Sequence, residues 1–194
     1  MDVFEAIETR RSVGRVREDA PPRELIEKLL AVAVLAPNHH ETEPWRFLVL
    51  AGAAKEEFGR VLGEALRLRM AGKGEDPAKL DVLAEAELIK TRRAPVLLIV
   101  GVKHGDSPVQ RFEDLAATAA AVENLLLAAH ALGLGAQWRT GDGAYDGHVK
   151  AHLGLAPTDE IVSVVYLGYP AADRPAPKER ARSYADKTEW RGWE

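Results

Sequence analysis

The stretch "VQRFEDLAATAAAVENLLLAAHALGLG", residues 109–135, decides the fold of this chain. Its larger apolar residues recur at helical spacing on one side, and alanines fill much of the remainder. That side comprises Phe112, Leu115, Ala119, Val122, Leu126 and Ala129. A helix that is apolar on most sides is usually buried, and glycine residues favour the helix end. The sequence therefore predicts a long buried helix from about Val109 to Leu134, ended by Gly133 and Gly135.

Short apolar segments on both sides of this helix predict strands. They are Phe47 to Leu50, Val96 to Val102, Ala136 to Thr140 and Ile161 to Leu167. Amphipathic helical patterns lie before the first of these strands and between the others. This order predicts an α+β fold, with a mixed or antiparallel sheet flanked by helices. The glycine fingerprint of dinucleotide-binding folds does not follow the first strand.

Composition restricts the protein class. With 194 residues, 46% of them hydrophobic and 29% charged, the chain suits one globular domain over residues 1–194. The formal net charge of −4 gives no overall attraction to nucleic acid. No apolar leader follows Met1, and the apolar run Ala94 to Val102 is far shorter than the ~20 residues of a spanning helix. We therefore predict a cytoplasmic protein without a membrane segment.

The end of the chain, residues 170–194, differs from the rest. Prolines, basic residues and two tryptophans make up a segment that cannot form a core of its own. We predict that this tail docks on another surface.

Two clusters of histidines raise the possibility of a metal site. The chain has no cysteine, which excludes a thiolate zinc site and a cysteine nucleophile. His148 and His152 share one face of a predicted helix, but Val149 stands where a zinc protease carries its glutamate. Next to each other in a loop, His39 and His40 diverge. A histidine-based metal enzyme therefore needs a third ligand from elsewhere.

Three polar segments stand at the ends of predicted elements. Arg10, Arg11 and Ser12 follow the first helix, where cations offset the helix dipole but guanidinium groups also suit phosphate. The loop in "APNHHETEPWRF", residues 36–47, joins an apolar helix to an apolar strand. Trp138, Arg139 and Thr140 stand where a strand leaves the sheet. Each segment has an ordinary structural explanation, but together they indicate a ligand site.

These segments together resemble the nitroreductase family of flavoproteins, and in particular its minimal, YdjA-like branch. The resemblance rests on Arg10-Arg11-Ser12, on Ala36-Pro37 with His39 and Pro44-Trp45, on the alanine-rich helix ending in Gly-Leu-Gly, and on Trp138 to Gly141. It implies the nitroreductase-like FMN-dependent fold and an intertwined homodimer, with FMN at the interface and residues 170–194 docked on the partner subunit.

The resemblance also implies the roles of individual residues. Arg10, Arg11 and Ser12 would meet the phosphate and ribityl chain of FMN, and Trp138, Arg139 and Thr140 would lie along the flavin. His39 would reach FMN from the other subunit. The chain departs from close relatives at Leu35, where they carry an arginine. Lys178 and Arg180 resemble a Lys-x-Arg pair of larger family members and are possible substitutes for that contact.

The implied activity is a ping-pong reaction. NADH or NADPH first gives hydride to flavin N5, and a small acceptor, such as a nitroaromatic or quinone, then takes the hydride from the flavin. No side chain is required as a catalytic acid. A flavin-binding or redox-sensing protein without steady turnover is the first alternative, and the histidine-based metal enzyme is the second. The physiological acceptor and the preferred nucleotide stay open, although Arg67, Arg69, Lys73, Arg92 and Arg93 are candidates for a 2′-phosphate.

Overall fold

The chain folds around a four-stranded sheet with helices on both faces. The computed structural model describes residues 1–173 and 183–193. In chain order its elements are α1 Val3–Thr9, α2 Arg23–Ala33, β1 Trp45–Ala51, α3 Gly52–Met70, α4 Pro77–Thr91, β2 Val96–Val102, α5 Pro108–Ala131, β3 Gly135–Arg139, α6 Gly147–His152 and β4 Glu160–Gly168. Short 3₁₀ turns occupy His39–Glu41, Asp142–Tyr145 and Ala185–Lys187.

The strands lie in the order β1-β2-β4-β3, and each neighbouring pair is antiparallel. The antiparallel form of the predicted sheet is therefore confirmed, and no described strand pair makes the sheet mixed. Every residue of β2 is buried. An inner strand that is covered on both faces has a continuous apolar sequence instead of alternating apolar and polar residues.

Two apolar clusters cover the two faces of the sheet. On one face, α2 and α5 pack on alternate residues of the central strands, among them Leu98, Val100 and Val165. On the other face, α3 and α6 pack against the intervening residues, among them Leu97 and Ile99. The alternation of side chains along a strand distributes the apolar residues between these two clusters. The predicted α+β fold is confirmed.

Helix α5 is only partly buried, which corrects the predicted burial. Its second half is covered and includes the fully buried Val122, Leu125 and Ala129. In the first half, Phe112 is 74% exposed, and Leu115 is also exposed. Helical periodicity identifies an apolar side, but it does not tell whether the same chain covers that side.

A buried carboxylate, Asp114, ties two loops to α5. The residue is only 2% exposed. One oxygen accepts a hydrogen bond from the Thr42 hydroxyl at 2.9 Å, and the other accepts one from the Gly105 backbone amide at 2.8 Å. The carboxylate thereby fixes the loop before β1 and the loop after β2.

Replacing Asp114 with alanine should lower the free energy of unfolding by about 3 kcal/mol, because both buried donors lose their charged acceptor. Urea denaturation at equilibrium measures the change. Asp106, an exposed aspartate in the loop that Asp114 anchors, is the matched control. Asp106→Ala should stay within about 0.5 kcal/mol of wild type. Equal stabilities for the two variants would contradict this role of Asp114.

Candidate functional site

The Arg10-Arg11-Ser12 segment lies beside strand β3. The Val13 amide donates to the Ala136 carbonyl at 3.0 Å, so the chain after α1 runs along that strand. An added Cβ at Gly14 would meet Gln137 Oε1 at 3.0 Å. From Ala136 to Arg139 the strand rises by about 10 Å. Two of the three predicted segments therefore lie along one edge of the sheet.

The two arginines make different contacts. Arg10 Nε donates to Glu123 of α5 at 3.2 Å, and its side chain is largely covered. Arg11 Nη1 donates to the carbonyls of Glu8 at 2.6 Å and Arg10 at 2.8 Å, so it caps the end of α1. Ser12 is exposed. Helix capping thus explains the position of Arg11, while Arg10 is held in place by a carboxylate on a neighbouring helix.

Trp138 and Arg139 point to opposite faces of the sheet, because successive strand residues alternate. The Trp138 indole donates to the Val162 carbonyl at 3.1 Å. The Arg139 guanidinium lies over the ring of Tyr166, 5.4 Å from its centroid. Only Arg139 and the following Thr140 reach the cavity described next, so the predicted Trp138 to Thr140 site divides between the two faces.

A cavity of about 330 Å³ opens at the end of β3, and we call it the sheet cavity. Its apolar wall comes from α3 and β4 and consists of Phe58, Leu62, Leu66, Ile161 and Val164. Its polar residues come from the end of α3, from α4, and from β3 with the segment after it, and they are Arg69, Glu87, Lys90, Arg139, Thr140 and Asp142. An apolar cavity with a few convergent polar groups is typical of a small-molecule site.

The mouth of the sheet cavity is formed by a segment with small residues. Gly141 and Gly143 belong to the cavity lining. A Cβ at Gly141 would meet no atom within 4 Å, whereas one at Gly143 would come within 2.4 Å of Leu62. The backbone therefore borders open space at Gly141 and packs closely on α3 at Gly143.

Tyr166 places a phenol in the sheet cavity. Burial raises the pKa of this hydroxyl, and the positive charges of Arg139 and Arg93 oppose the increase. The residue is 9% exposed. An ordinary tyrosine is already neutral at pH 7, so Tyr166 is a neutral hydrogen-bond donor there. Sequence reasoning missed it, since one tyrosine within an apolar strand is equally typical of a core position.

Lys90 and Glu87 come to the same cavity from α4. Lys90 Nζ and Glu87 Oε1 form an ion pair of 2.6 Å, with both side chains partly exposed. The pair is spaced i, i+3 on the helix, which is an ordinary surface pattern. Nothing in the sequence indicates that the end of α4 reaches the same cavity as β3, so these residues were not predicted.

His39 lies in a loop with an unusual backbone. His40, Glu41 and Glu43 adopt positive φ values of 57°, 52° and 42°. Non-glycine residues in this region carry conformational strain and are frequent at functional sites. The loop is held by Asn38, whose Oδ1 accepts from the Glu43 amide at 3.0 Å.

The His39 loop is distant from Arg10 within one chain. His39 borders a surface hollow together with Phe112 and Glu113 of α5. Arg10 contacts Glu123, ten residues further along the same helix. Ten helical residues span about 15 Å. One chain therefore does not bring His39 to the Arg10 end of the site.

The remaining predicted positions are Leu35, Lys178 and Arg180. Leu35, where the family resemblance leads us to expect an arginine, is 77% exposed. Lys178 and Arg180 lie outside the described residues.

The histidine-based metal hypothesis finds little support. His148 Nε2 lies 3.3 Å from Glu64 on α3, and both side chains are exposed. Within residues 1–173 and 183–193, no group of three or more potential ligands could hold a metal ion. His148 and His152 thus lack a third ligand in the described structure.

Comparison with known proteins agrees with the geometry. The model of the nitroreductase family matches residues 7–169. The chain belongs to the nitroreductase family. Escherichia coli (strain K12) YdjA, provisionally named an NAD(P)H nitroreductase, is 32% identical over 171 residues, covering 88% of this chain and 89% of that protein. The resemblance seen in the sequence motifs is therefore confirmed.

Solved structures of the nitroreductase family have the same fold. A nitroreductase-like family protein from Bacillus cereus superposes with a TM-score of 0.86 at 25% identity, covering 100% of this chain and 97% of that one. A nitroreductase with bound FMN from Bacteroides fragilis NCTC 9343 gives 0.75 at 25% identity, covering 98% and 100%. In the described parts of the chain, no helix has both the length and the apolar character needed to cross a membrane.

Proposed function

We propose that this nitroreductase-family chain is an FMN-dependent oxidoreductase. It takes hydride from NADH or NADPH and passes it to a small acceptor, such as a nitroaromatic or a quinone, in a ping-pong cycle. The sheet cavity carries this proposal, because it opens at the end of β3, the strand beside which the Arg10 segment runs, and combines an apolar wall with positively charged side chains. FMN supplies the hydride chemistry when bound, through N5 of its ring.

The residues around the sheet cavity suit a flavin. A planar, mostly apolar ring matches the wall formed by Leu62, Ile161 and Val164. Lys90 and Arg139 supply positive charge for the electron-rich edge of a reduced ring. The polar chain and phosphate would extend toward Arg10 and Ser12 along β3, where a guanidinium group favours phosphate.

Protein side chains have three tasks in this proposal. The apolar wall orients the ring and excludes water from the face it covers. Lys90 and Arg139 stabilise negative charge near the cavity. Tyr166, a neutral phenol at pH 7, donates a hydrogen bond into the same space. No carboxylate or imidazole is required as a general acid.

We further propose that residues 1–194 form a single domain that acts as a homodimer. Phe4 on α1, Leu35 after α2 and Phe112 on α5 are each at least 74% exposed. Helices α1 and α2 both contact α5, and a large exposed apolar surface is typical of a protein interface. A partner would also bring its own His39 toward a site that one chain leaves incomplete.

The C-terminal tail supports the same assembly. Residues 183–193 are all exposed in the single chain. The rings of Trp190 and Trp193 contact each other edge to face, with centroids 5.7 Å apart, yet both remain largely exposed. Because tryptophan burial is strongly favourable, we propose that the tail covers the partner subunit.

An anaerobic absorption spectrum of the purified protein from ~300 to ~550 nm tests the cofactor assignment. We expect flavin bands near ~370 and ~450 nm that bleach on addition of NADH or NADPH. A protein that stays colourless after incubation with FMN would overturn the proposal. Bleaching without steady turnover of any acceptor would instead favour a flavin-binding or redox-sensing protein.

Steady-state kinetics test the order of the reaction. With nucleotide and acceptor both varied, the ping-pong cycle predicts parallel lines in double-reciprocal plots. Intersecting lines would indicate that donor and acceptor bind together.

A further inference from the structure

A second cavity adjoins the sheet cavity on its outer side. This outer cavity has a volume of about 450 Å³ and is lined by Leu66, Arg69, Met70, Lys73, Leu83 and Tyr145, with Asp142. Leu66, Arg69 and Asp142 also line the sheet cavity. These three residues therefore form the boundary between the two spaces, and a molecule bound in the outer cavity would lie next to one bound in the sheet cavity.

One side of the Arg69 guanidinium group is fixed at this boundary by a neighbouring carboxylate. Its Nη1 donates to Asp146 Oδ2 at 3.0 Å, and the Asp146 side chain is only 10% exposed. The other oxygen of Asp146 accepts from the His148 amide at the start of α6. Because Asp146 is itself fixed, it orients Arg69 before any ligand arrives.

The other side of the guanidinium group is not fully engaged. Arg69 Nη2 lies 3.8 Å from Asp142 Oδ2, which is longer than a hydrogen bond. Asp142 has an 89% exposed side chain, so solvent screens this interaction strongly. An incoming anion can therefore replace Asp142 at Nη2 without disturbing the contact with Asp146.

The rest of the outer cavity suits an aromatic ligand. Leu66, Met70 and Leu83 form an apolar surface, and Tyr145 adds an exposed ring. Lys73 adds a second positive charge to the lining. A planar ring with an anionic oxygen group fits both features.

We propose that the outer cavity is the acceptor subsite and that Arg69 selects aromatic acceptors bearing a carboxylate or a similar anionic group. This inference rests on the proposed function, since it places the acceptor beside a flavin in the sheet cavity. Arg69 is a specificity residue here. It binds the substituent of the acceptor and takes no part in hydride transfer.

Neighbouring arginines are occupied by other partners. Arg67 donates through Nε and Nη2 to Asp81, and Arg92 donates through the same two atoms to Glu56. Neither residue lines either cavity. Of these cations on α3 and α4, Arg69 is the one placed where both cavities meet.

The test compares a charged acceptor, 4-nitrobenzoate, with the uncharged 4-nitrobenzamide, using flavin-loaded enzyme. We expect Arg69→Gln to raise KM for 4-nitrobenzoate by about tenfold or more, the loss typical of a charge-assisted hydrogen bond. KM for 4-nitrobenzamide should change by less than about twofold. Arg67→Gln, a cation on the same helix outside both cavities, should change neither constant.

A second variant leaves the contact between Arg69 and Asp146 intact. Asp142→Asn removes the carboxylate that competes for Nη2, so it should lower KM for 4-nitrobenzoate by about twofold to fivefold. The opposite signs of the two substitutions would not arise from general damage to the fold. Equal changes for both acceptors in both variants would overturn the proposal.

The hydride donor is another source of anionic groups. Stopped-flow reduction of the bound flavin by NADH and NADPH measures binding of the donor alone, because no acceptor is present. We expect Arg69→Gln to leave the donor Kd unchanged. If the donor Kd rises and KM for 4-nitrobenzoate does not, Arg69 binds a nucleotide phosphate and the acceptor subsite is wrong. Failure of the proposed function itself would appear earlier, as a wild-type protein without reducible flavin.

Discussion

Replacing Arg10 with glutamine should weaken FMN binding by roughly 10- to 100-fold, the usual range for losing a charged hydrogen bond to phosphate. Arg10 suits this role because its side chain is largely covered and the Glu123 contact limits its movement. A guanidinium group fixed in this way loses little conformational entropy on binding. Titration of apoprotein with FMN, followed by quenching of flavin fluorescence, measures the change in Kd.

Two control variants separate phosphate binding from general stability. Glu123→Gln removes the carboxylate partner of Arg10 but leaves the positive charge of Arg10 in place. FMN affinity should therefore fall by much less than in Arg10→Gln. Arg23→Gln breaks an exposed ion pair with Glu27 on α2 and should leave the affinity unchanged. If Arg10→Gln binds FMN as tightly as Arg23→Gln does, Arg10 does not contact the cofactor.

Local sequence patterns predicted the elements of this fold well. The predicted bounds of β2 match the observed Val96–Val102, because a continuous apolar run between a proline and polar residues leaves little ambiguity. Proline and glycine marked most helix ends. Each of these signals acts within a few residues, so it can be recognised without knowing the tertiary structure.

The candidate site was predicted less completely, since its residues come from separate elements. Arg139 and Thr140 belong to a motif and were identified. Lys90 and Tyr166 reach the same cavity from α4 and β4, and only the packing of these elements brings them together. A helical Lys with a nearby Glu carries no local sign of a ligand site.

A sequence pattern does not show which surface packs against a helix. The burial of individual residues on α5 could therefore not be predicted. Phe112 belongs to the same apolar side as Val122, yet one is exposed and the other is fully buried. Periodicity reports only that a side is apolar. Whether the chain itself or a second copy covers it depends on tertiary and quaternary structure.

The exposed half of α5 leads to the prediction with the largest expected effect. Phe112→Asp should convert the proposed dimer to a monomer at micromolar concentration, raising the dimer Kd by about 100-fold or more. The substitution removes an aromatic anchor and would place an unpaired carboxylate in an apolar interface, which costs several kcal/mol. Sedimentation velocity measures the mass, and absorbance at ~450 nm in the same run reports the flavin.

Loss of the dimer should also release FMN, because the proposed site takes His39 from the partner while Arg10 comes from the first subunit. Val82→Asp is the matched control, since Val82 is 70% exposed on α4 and not on the α1 and α5 surface. It should retain both the dimer mass and the flavin. A Phe112→Asp monomer that kept its flavin would show that one chain forms the complete site. A wild-type monomer with bound flavin would remove the dimer proposal altogether.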